Sequence, residues 1–372
     1  MEKRYWETLG KTLPLMGMGI MRMPCLEDGS IDCETAQSMV DYLYGQGVRY
    51  FDTAYFYHGG QSEIFIGEAL SKYPREEYCL ADKLPTWNAK EEADVQKIFE
   101  EQLRKTGKEY FDFYLFHAIN GGGWERCKEL HAPETLLTLK EQGKIRHLGF
   151  SFHGSKEDLA VILQEGIWDF VQLQLNYYDW EKDGRNLYEQ AAAKNLPIII
   201  MEPVRGGGLV SIPDSVADLF KEHDSSQTKA TWAMRFAASL PQTAVVLSGV
   251  SSMAHCEENA AVFSPLKPMD EKELTISKKM VEAIDALALI PCTGCRYCID
   301  CSETVNIPAI FDAYNNLMRF NNEGSFRWFM EHEIKEESRP DRCIGCGVCS
   351  SKCPQNIDIP AMLEVVAKRL KD

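Results

Sequence analysis

The sequence predicts an α/β protein in parts: a closed (β/α)8 barrel over residues 1–265, a linker and helix over 266–290, and a small helix-rich domain over 291–372. Three observations carry this. Short β-rich runs alternate with helical patterns between residue 16 and about 263, the strand runs are apolar on both faces, and cysteines crowd into two stretches near the C-terminus. Strands that are apolar on both faces belong to parallel sheets covered by helices, and a right-handed crossover repeated eight times closes a ring. Length agrees: 372 residues suit a barrel of roughly 250 residues plus an appendage.

In chain order the strands are read at "MGMGIM", "VRYFDTA", "YCLADKL", "FDFYLFHA", "RHLGFSF", "FVQLQLN", "PIIIMEP" and "AVVLSGV". Stretches such as "SEIFIGEALSKY" and "SKEDLAVILQEG" lie between them, with apolar residues at helical spacing of three and four. An open doubly wound sheet would need a phosphate-binding glycine turn after its first strand. "GMGIMR" at 17–22 lacks the third glycine and "RGGGL" at 205–209 follows the seventh strand, so both read as turns. The proline- and charge-rich "SPLKPMDEKE" leads to a helix at about 273–289 whose Ile276, Met280, Ile284 and Leu287 share one face. Further on, "IPAIFDAYNNLMRF" is helical with Pro308 at its start.

An apolar content of 45% supports a full core, while no uninterrupted apolar run approaches the roughly 20 residues of a membrane span. A formal charge of −16 repels phosphate backbones, so neither nucleic acid nor a membrane is expected as a partner. Basic electron-transfer proteins remain compatible. No charged-then-apolar leader is read at the start, and scattered cysteines suit a reducing cytoplasm, the expected location.

Eight of the 13 cysteines fall in two runs. In "CIGCGVCSSKCP", Cys343, Cys346 and Cys349 recur every third residue, with Cys353 and Pro354 behind them. In "CTGCRYCIDC" the cysteines are Cys292, Cys295, Cys298 and Cys301, with a last gap one residue shorter. Both runs resemble those of bacterial two-cluster ferredoxins, which hold [4Fe-4S] cubanes and in which the fourth cysteine of each run ligates the other run's cluster. The resemblance implies two clusters, one on Cys292, Cys295, Cys298 and Cys353, the other on Cys343, Cys346, Cys349 and Cys301. Two four-cysteine zinc sites or a disulfide framework are the other readings. Zinc ligands usually come as two separated CxxC pairs, whereas triads followed by a fourth cysteine fit cubanes. Cys25, Cys33, Cys79, Cys127 and Cys256 read as ordinary core thiols.

Enzymes on a closed β/α barrel place their chemistry at the C-terminal ends of the strands. There the second strand gives Asp52 and, five residues on, Tyr57; the third gives Lys83; the fourth gives His117. With these four residues the barrel resembles the aldo-keto reductase family, whose TIM barrel carries an aspartate, tyrosine, lysine and histidine at the same strand ends. The resemblance implies reversible reduction of an aldehyde or ketone by hydride from NADP or NAD. Hydride transfer leaves an alkoxide that needs a proton, and a phenol donates poorly at neutral pH unless a cation stabilises its anion. Tyr57 is then the acid, Lys83 the cation, Asp52 the partner holding Lys83, and His117 a hydrogen-bond donor to the carbonyl oxygen. His58 and His153 adjoin strand ends and could face substrate, although a loop histidine is more commonly just solvated.

The family's carboxamide-binding residues map onto Ser151 and Gln172, with Phe152 where an asparagine is usual, and its ring-stacking aromatic maps onto Met201. Its phosphate-binding segment maps onto Ser251, Ser252 and Asn259, with His255 where NADP-preferring members tend to carry arginine. Nicotinamide gives up two electrons as hydride and a cubane passes one at a time, with no flavin motif here to convert between them. The clusters are therefore structural, trade electrons with an external flavoprotein or ferredoxin, or replace nicotinamide as the electron source. The competing reading is a redox interaction module, with clusters carrying electrons between proteins and the barrel a weakly active scaffold.

Overall fold

The computed structural model describes residues 1–287 and 290–371, which divide into two compact units, Met1–Arg205 with Ala230–Leu274, and Gly206–Lys229 with Thr275–Asp372. All eight strands read from the sequence form in the first unit: β3 (Met16–Gly19), β4 (Tyr50–Asp52), β5 (Cys79–Leu84), β6 (Phe111–Ile119), β7 (Ile145–Phe152), β8 (Phe170–Gln174), β9 (Ile198–Met201) and β10 (Thr243–Gly249). They run parallel and close as β10-β3-β4-β5-β6-β7-β8-β9, a ring that covers the apolar faces on both sides. Gly17 shows how tight the ring is, since a Cβ there would lie 2.7 Å from Val245 Cγ1 and 3.1 Å from the Tyr50 ring. Gly17 of the first barrel strand is thus a packing requirement inside a strand.

Ahead of the barrel a hairpin pairs β1 (Lys3–Trp6) with β2 (Lys11–Pro14), an element without an expected counterpart. Leu9 and Leu13 of this hairpin share a buried cluster with Tyr50, Cys79, Phe113, Phe170 and Val245, residues near the strands' N-terminal ends. Arg4 ties the hairpin down by donating to the carbonyls of Ala238 at 2.7 Å and Thr243 at 2.7 Å. The linker is held just as firmly. Arg235 donates to the Lys267 carbonyl at 2.8 Å and grips both carboxylate oxygens of Glu273 at 2.8 and 2.9 Å, with both side chains buried. The helix expected at 273–289 runs Glu271–Ala286, and residues 288 and 289 lie outside the described ones.

The second unit is helix-rich. Its helices Ile307–Phe320, Glu323–His332 and Ile359–Lys371 bury Ile310, Phe311, Leu317, Phe326, Met330, Leu363 and Val366 in one core, against which several cysteines pack. Pro308 stands in the first turn of its helix, where the missing N–H costs nothing. Buried Asn315 accepts from Ile290 N–H at 3.2 Å and donates to the Ile290 carbonyl at 2.8 Å, fixing the chain just before the first cysteine run. Among the described residues no helix is long and apolar enough to cross a membrane.

Removing one partner of a buried bidentate ion pair leaves the other charge uncompensated, a cost of about 3–5 kcal/mol. Glu273→Ala should therefore destabilise the protein by that order, read as a lowered urea midpoint, whereas a surface change such as Glu257→Ala should leave the midpoint within about 0.5 kcal/mol of wild type.

Candidate active site and cysteine centre

Lys83 is the hub of the barrel's C-terminal mouth. An ammonium has three donors, and here they reach Asp52 Oδ1 at 2.6 Å, the Thr53 carbonyl at 2.7 Å and the Tyr57 hydroxyl at 3.5 Å. The side chain is 1% exposed, so its charge depends entirely on these partners. Burial alone pushes the ammonium down, but Asp52 and Tyr57 outweigh it and hold Lys83 above the ordinary amine range. Tyr57 is raised by burial, an effect that Lys83 only partly offsets, so the phenol is protonated at neutral pH.

The backbone of Lys83 is held from the other side. β4 ends at Asp52 opposite Ala81, leaving Lys83, two residues further along β5, without a partner in that strand. Its N–H donates instead to Asp82 Oδ1 at 2.8 Å, and its carbonyl accepts from Gln102 Nε2 at 3.0 Å. Gln102 also donates to Glu63 Oε1 at 2.9 Å and accepts from Tyr114, while Lys105 pairs with Glu63 Oε2 at 3.0 Å. Burial, with Glu63 beside it, pushes the Asp82 carboxyl well above the usual carboxylate range. Nothing in the sequence reading anticipated this layer; Asp82 beside the lysine was its only local sign.

His117 in β6 faces Tyr57 edge-on, ring centroids 6.1 Å apart. Burial, then the Lys83 ammonium, lower it to about 3, which leaves a neutral imidazole whose Nδ1 is shielded and unpartnered. The next residue, Ala118, adopts φ 52°, and its N–H donates to Ser151 Oγ at 2.8 Å. A second omission is Trp87, four residues after Lys83. Its ring lies 5.2 Å from that of His117 and stacks on Phe56 at 5.9 Å, giving the mouth an aromatic wall. His153 is exposed just past β7, and His58 lies in the turn after Tyr57.

The residues mapped for a dinucleotide fall into two groups. Ser151 pairs in register with Gln172, and Gln172 Nε2 lies 3.4 Å from the sulfur of Met201 at the end of β9. Gln172 Oε1 is buried with no hydrogen-bond partner, an acceptor suited to the N–H of an amide. Ser252 caps the helix Met253–Val262 by accepting from His255 N–H, and Ser251 Oγ lies 3.2 Å from His255 Nδ1. A helix N-terminus lined with hydroxyls suits a phosphate. Asn259 differs from these, being buried and donating to Ser248 Oγ at 2.8 Å.

In the second unit Cys292, Cys295, Cys298 and Cys353 line one recess with Ile307, Phe311, Ile357 and Ile359. Three come from the upstream run and one from the downstream. Burial raises the Cys349 thiol, with Cys343 and Cys301 acting in the same direction, and burial raises Cys298, with Cys292, Cys349 and Cys295 acting in the same direction; Cys346 is exposed. The donor set, four thiols drawn from both runs in an apolar recess, fits a cubane. The five remaining cysteines split: Cys79, Cys127 and Cys256 are buried as core thiols, but Cys25 and Cys33 are exposed, contrary to expectation, because Cys25 stands in the loop after β3 and Cys33 opens the helix Cys33–Gly45 that follows it.

Comparison with known proteins agrees with this architecture. A family profile described as the aldo/keto reductase family matches residues 15–282, and one described as a 4Fe-4S dicluster domain matches 291–357. The chain is 25% identical over 280 residues to an L-galactose dehydrogenase of Arabidopsis thaliana, covering 69% of this chain and 86% of that one. It is 22% identical to an NADH-specific methylglyoxal reductase of Escherichia coli, covering 74% and 96%. Among solved structures it resembles an aldo-keto reductase from Bacillus halodurans in its holo form (TM-score 0.63, 21% identity, 75% and 96% covered) and one from Klebsiella pneumoniae in complex with NADPH (TM-score 0.62, 21%, 76% and 96%). With the profile spanning most of the chain, and the barrel built as described, the protein belongs to the aldo/keto reductase family of oxidoreductases and carries a C-terminal 4Fe-4S dicluster domain.

Proposed function

We propose that the barrel reversibly reduces a small aldehyde or ketone, with NADP or NAD as hydride source and Tyr57 as proton donor. The observation that carries this is the buried Lys83 ammonium held between Asp52 and the Tyr57 hydroxyl. The dinucleotide supplies the hydride when bound. Lys83 lowers the cost of forming the Tyr57 phenolate as the proton leaves Oη for the carbonyl oxygen. His117, kept neutral, offers one N–H to the same oxygen where negative charge develops. Asp52 and the Thr53 carbonyl keep Lys83 aimed at the phenol, and Trp87 and Phe56 help exclude water. Gln172 and Ser151 hold the carboxamide beside Met201, while Ser251, Ser252 and His255 meet the phosphates, with Asn259 bracing the strand end behind them. The names of the relatives, a methylglyoxal reductase and a sugar dehydrogenase, support small polar carbonyls as the substrate class.

In the second unit we assign one cluster to Cys292, Cys295, Cys298 and Cys353 and the other to Cys343, Cys346, Cys349 and Cys301. Support comes from the recess that Cys353 shares with the upstream triad. Tyr297, Ile299, Ile344 and Val348 stand exposed between the cysteines. Such an apolar rim suits a transient electron-transfer partner, a flavoprotein or a ferredoxin, that approaches the clusters.

Tyr57→Phe should lower kcat by on the order of 10²–10⁴ while leaving the dinucleotide Kd unchanged. Carbonyl turnover at wild-type rate would end the assignment. Because His255 stands where an arginine would supply a permanent cation, His255→Arg should lower the KM ratio of NADPH to NADH. An unchanged ratio would remove this position from phosphate recognition. Cys353→Ala should reduce anaerobic iron content and perturb the signal of the upstream cluster; a variant whose upstream cluster remains intact would contradict the crossed ligation.

A further inference from the structure

Cys25 is a cysteine outside both runs, and the fold places it against a histidine. Its Sγ lies 3.4 Å from His58 Nδ1, and the thiol is exposed. His58 follows Tyr57 directly and adopts φ 51°, ψ 45°, a left-handed backbone that a non-glycine residue rarely takes. His58 Nε2 faces the loop after β3, 3.2 Å from the Ile20 carbonyl and 3.3 Å from Met23 N–H, which donates to it when Nε2 is unprotonated. In the tautomer with the proton on Nε2, donating to Ile20, the Nδ1 lone pair faces the Cys25 thiol, whose Sγ also lies 3.5 Å from the Met23 carbonyl. The arrangement has the three parts of an activated nucleophile: an accessible thiol, a base within reach, and a group that orients the base. Burial lowers His58, favouring the neutral imidazole that can act as that base.

We propose that Cys25 and His58 form a nucleophilic dyad at the barrel mouth that captures aldehydes and related electrophiles. The balance is simple. Nδ1 takes the S–H proton, Sγ adds to the aldehyde carbon, and the C–S bond forms as the carbonyl π bond opens. The resulting alkoxide then recovers the proton from Nδ1, leaving a thiohemiacetal with no net oxidation. The step is reversible and needs no metal, dinucleotide or oxidant. Capture is coupled to the carbonyl site, since His58 is the residue after Tyr57 and is bonded to the Ile20–Met23 segment. This coupling rests on the reductase reading; the reactivity of the thiol does not.

The test uses the anaerobically purified full chain with its clusters. Iodoacetamide is the probe at pH 7, with mass spectrometry following each cysteine separately. Cys25 should alkylate at least about tenfold faster in wild type than in His58→Gln, the scale expected when a base is lost, while Cys33, also exposed, should keep its rate in both. Millimolar glycolaldehyde should slow alkylation of Cys25 and not of Cys33, with recovery after dialysis. Equal Cys25 rates in wild type and His58→Gln, or no protection by the aldehyde, would overturn the dyad. Because His58→Gln could disturb the loop, Cys25→Ser provides the second arm: it should abolish the inhibition of carbonyl turnover that iodoacetamide causes in wild type. Inhibition that persists in Cys25→Ser would overturn the coupling. A protein that alkylates rapidly at Cys25 but never turns over carbonyls would instead reject the reductase reading and leave the dyad standing.

Discussion

A buried positive charge organises this barrel. An ammonium taken out of water costs several kcal/mol unless every proton finds an acceptor, and Lys83 finds Asp52, the Thr53 carbonyl and Tyr57. Each partner constrains the chain. Asp52 must be the last residue of a short strand, Thr53 must turn its carbonyl inward, and Tyr57 must return over the mouth within five residues. Ending β4 at Asp52 then exposes the peptide groups of Lys83, and the second layer of Asp82, Gln102, Glu63 and Lys105 covers them. The two layers follow from one requirement: a charged side chain on a strand whose neighbour stops early needs both its head and its backbone satisfied.

What was legible in the sequence follows the same division. The eight strands could be read because strands buried on both faces are continuous apolar runs, and Asp52, Tyr57, Lys83 and His117 because chain order alone puts them at successive strand ends. Gln102 reaches the Lys83 carbonyl and Glu63 only after a helix has folded back against β5, so no local pattern contains those contacts. The N-terminal hairpin escaped for a different reason. "KRYW" and "KTLP" pair through Lys3↔Pro14 and Trp6↔Lys11, and such polar, half-exposed strands lack the apolar alternation that marks a strand. Cys25 was read as core from its residue type, when its loop position decides its exposure. The cysteine runs were legible because ligand spacing is local, while the approach of Cys353 to the upstream run is tertiary.

The aromatic wall and the neutral histidine have a shared cause. A cation at Lys83 disfavours a second one nearby, and burial, with the Trp87 ring 5.2 Å away, withholds the water that would otherwise solvate it. Both effects act on His117 in the same direction, down to about 3, and so the site keeps a single positive charge. That charge sits beside the phenol that must lose a proton, and the imidazole is left as a dipolar donor.

The pH behaviour of the fold and of the site then separate. His117 binds a proton in the unfolded chain below the ordinary histidine range near 6.5 but resists it in the fold down to about 3, so its contribution to stability falls as pH drops through that window. Lys83 is raised, so its contribution is complete below the ordinary lysine range and is lost only as pH rises past its folded value. Between those limits the protonation of Lys83, Tyr57 and His117 does not change. A barrel arranged this way works with one charge pattern at Lys83, Tyr57 and His117 across the neutral range.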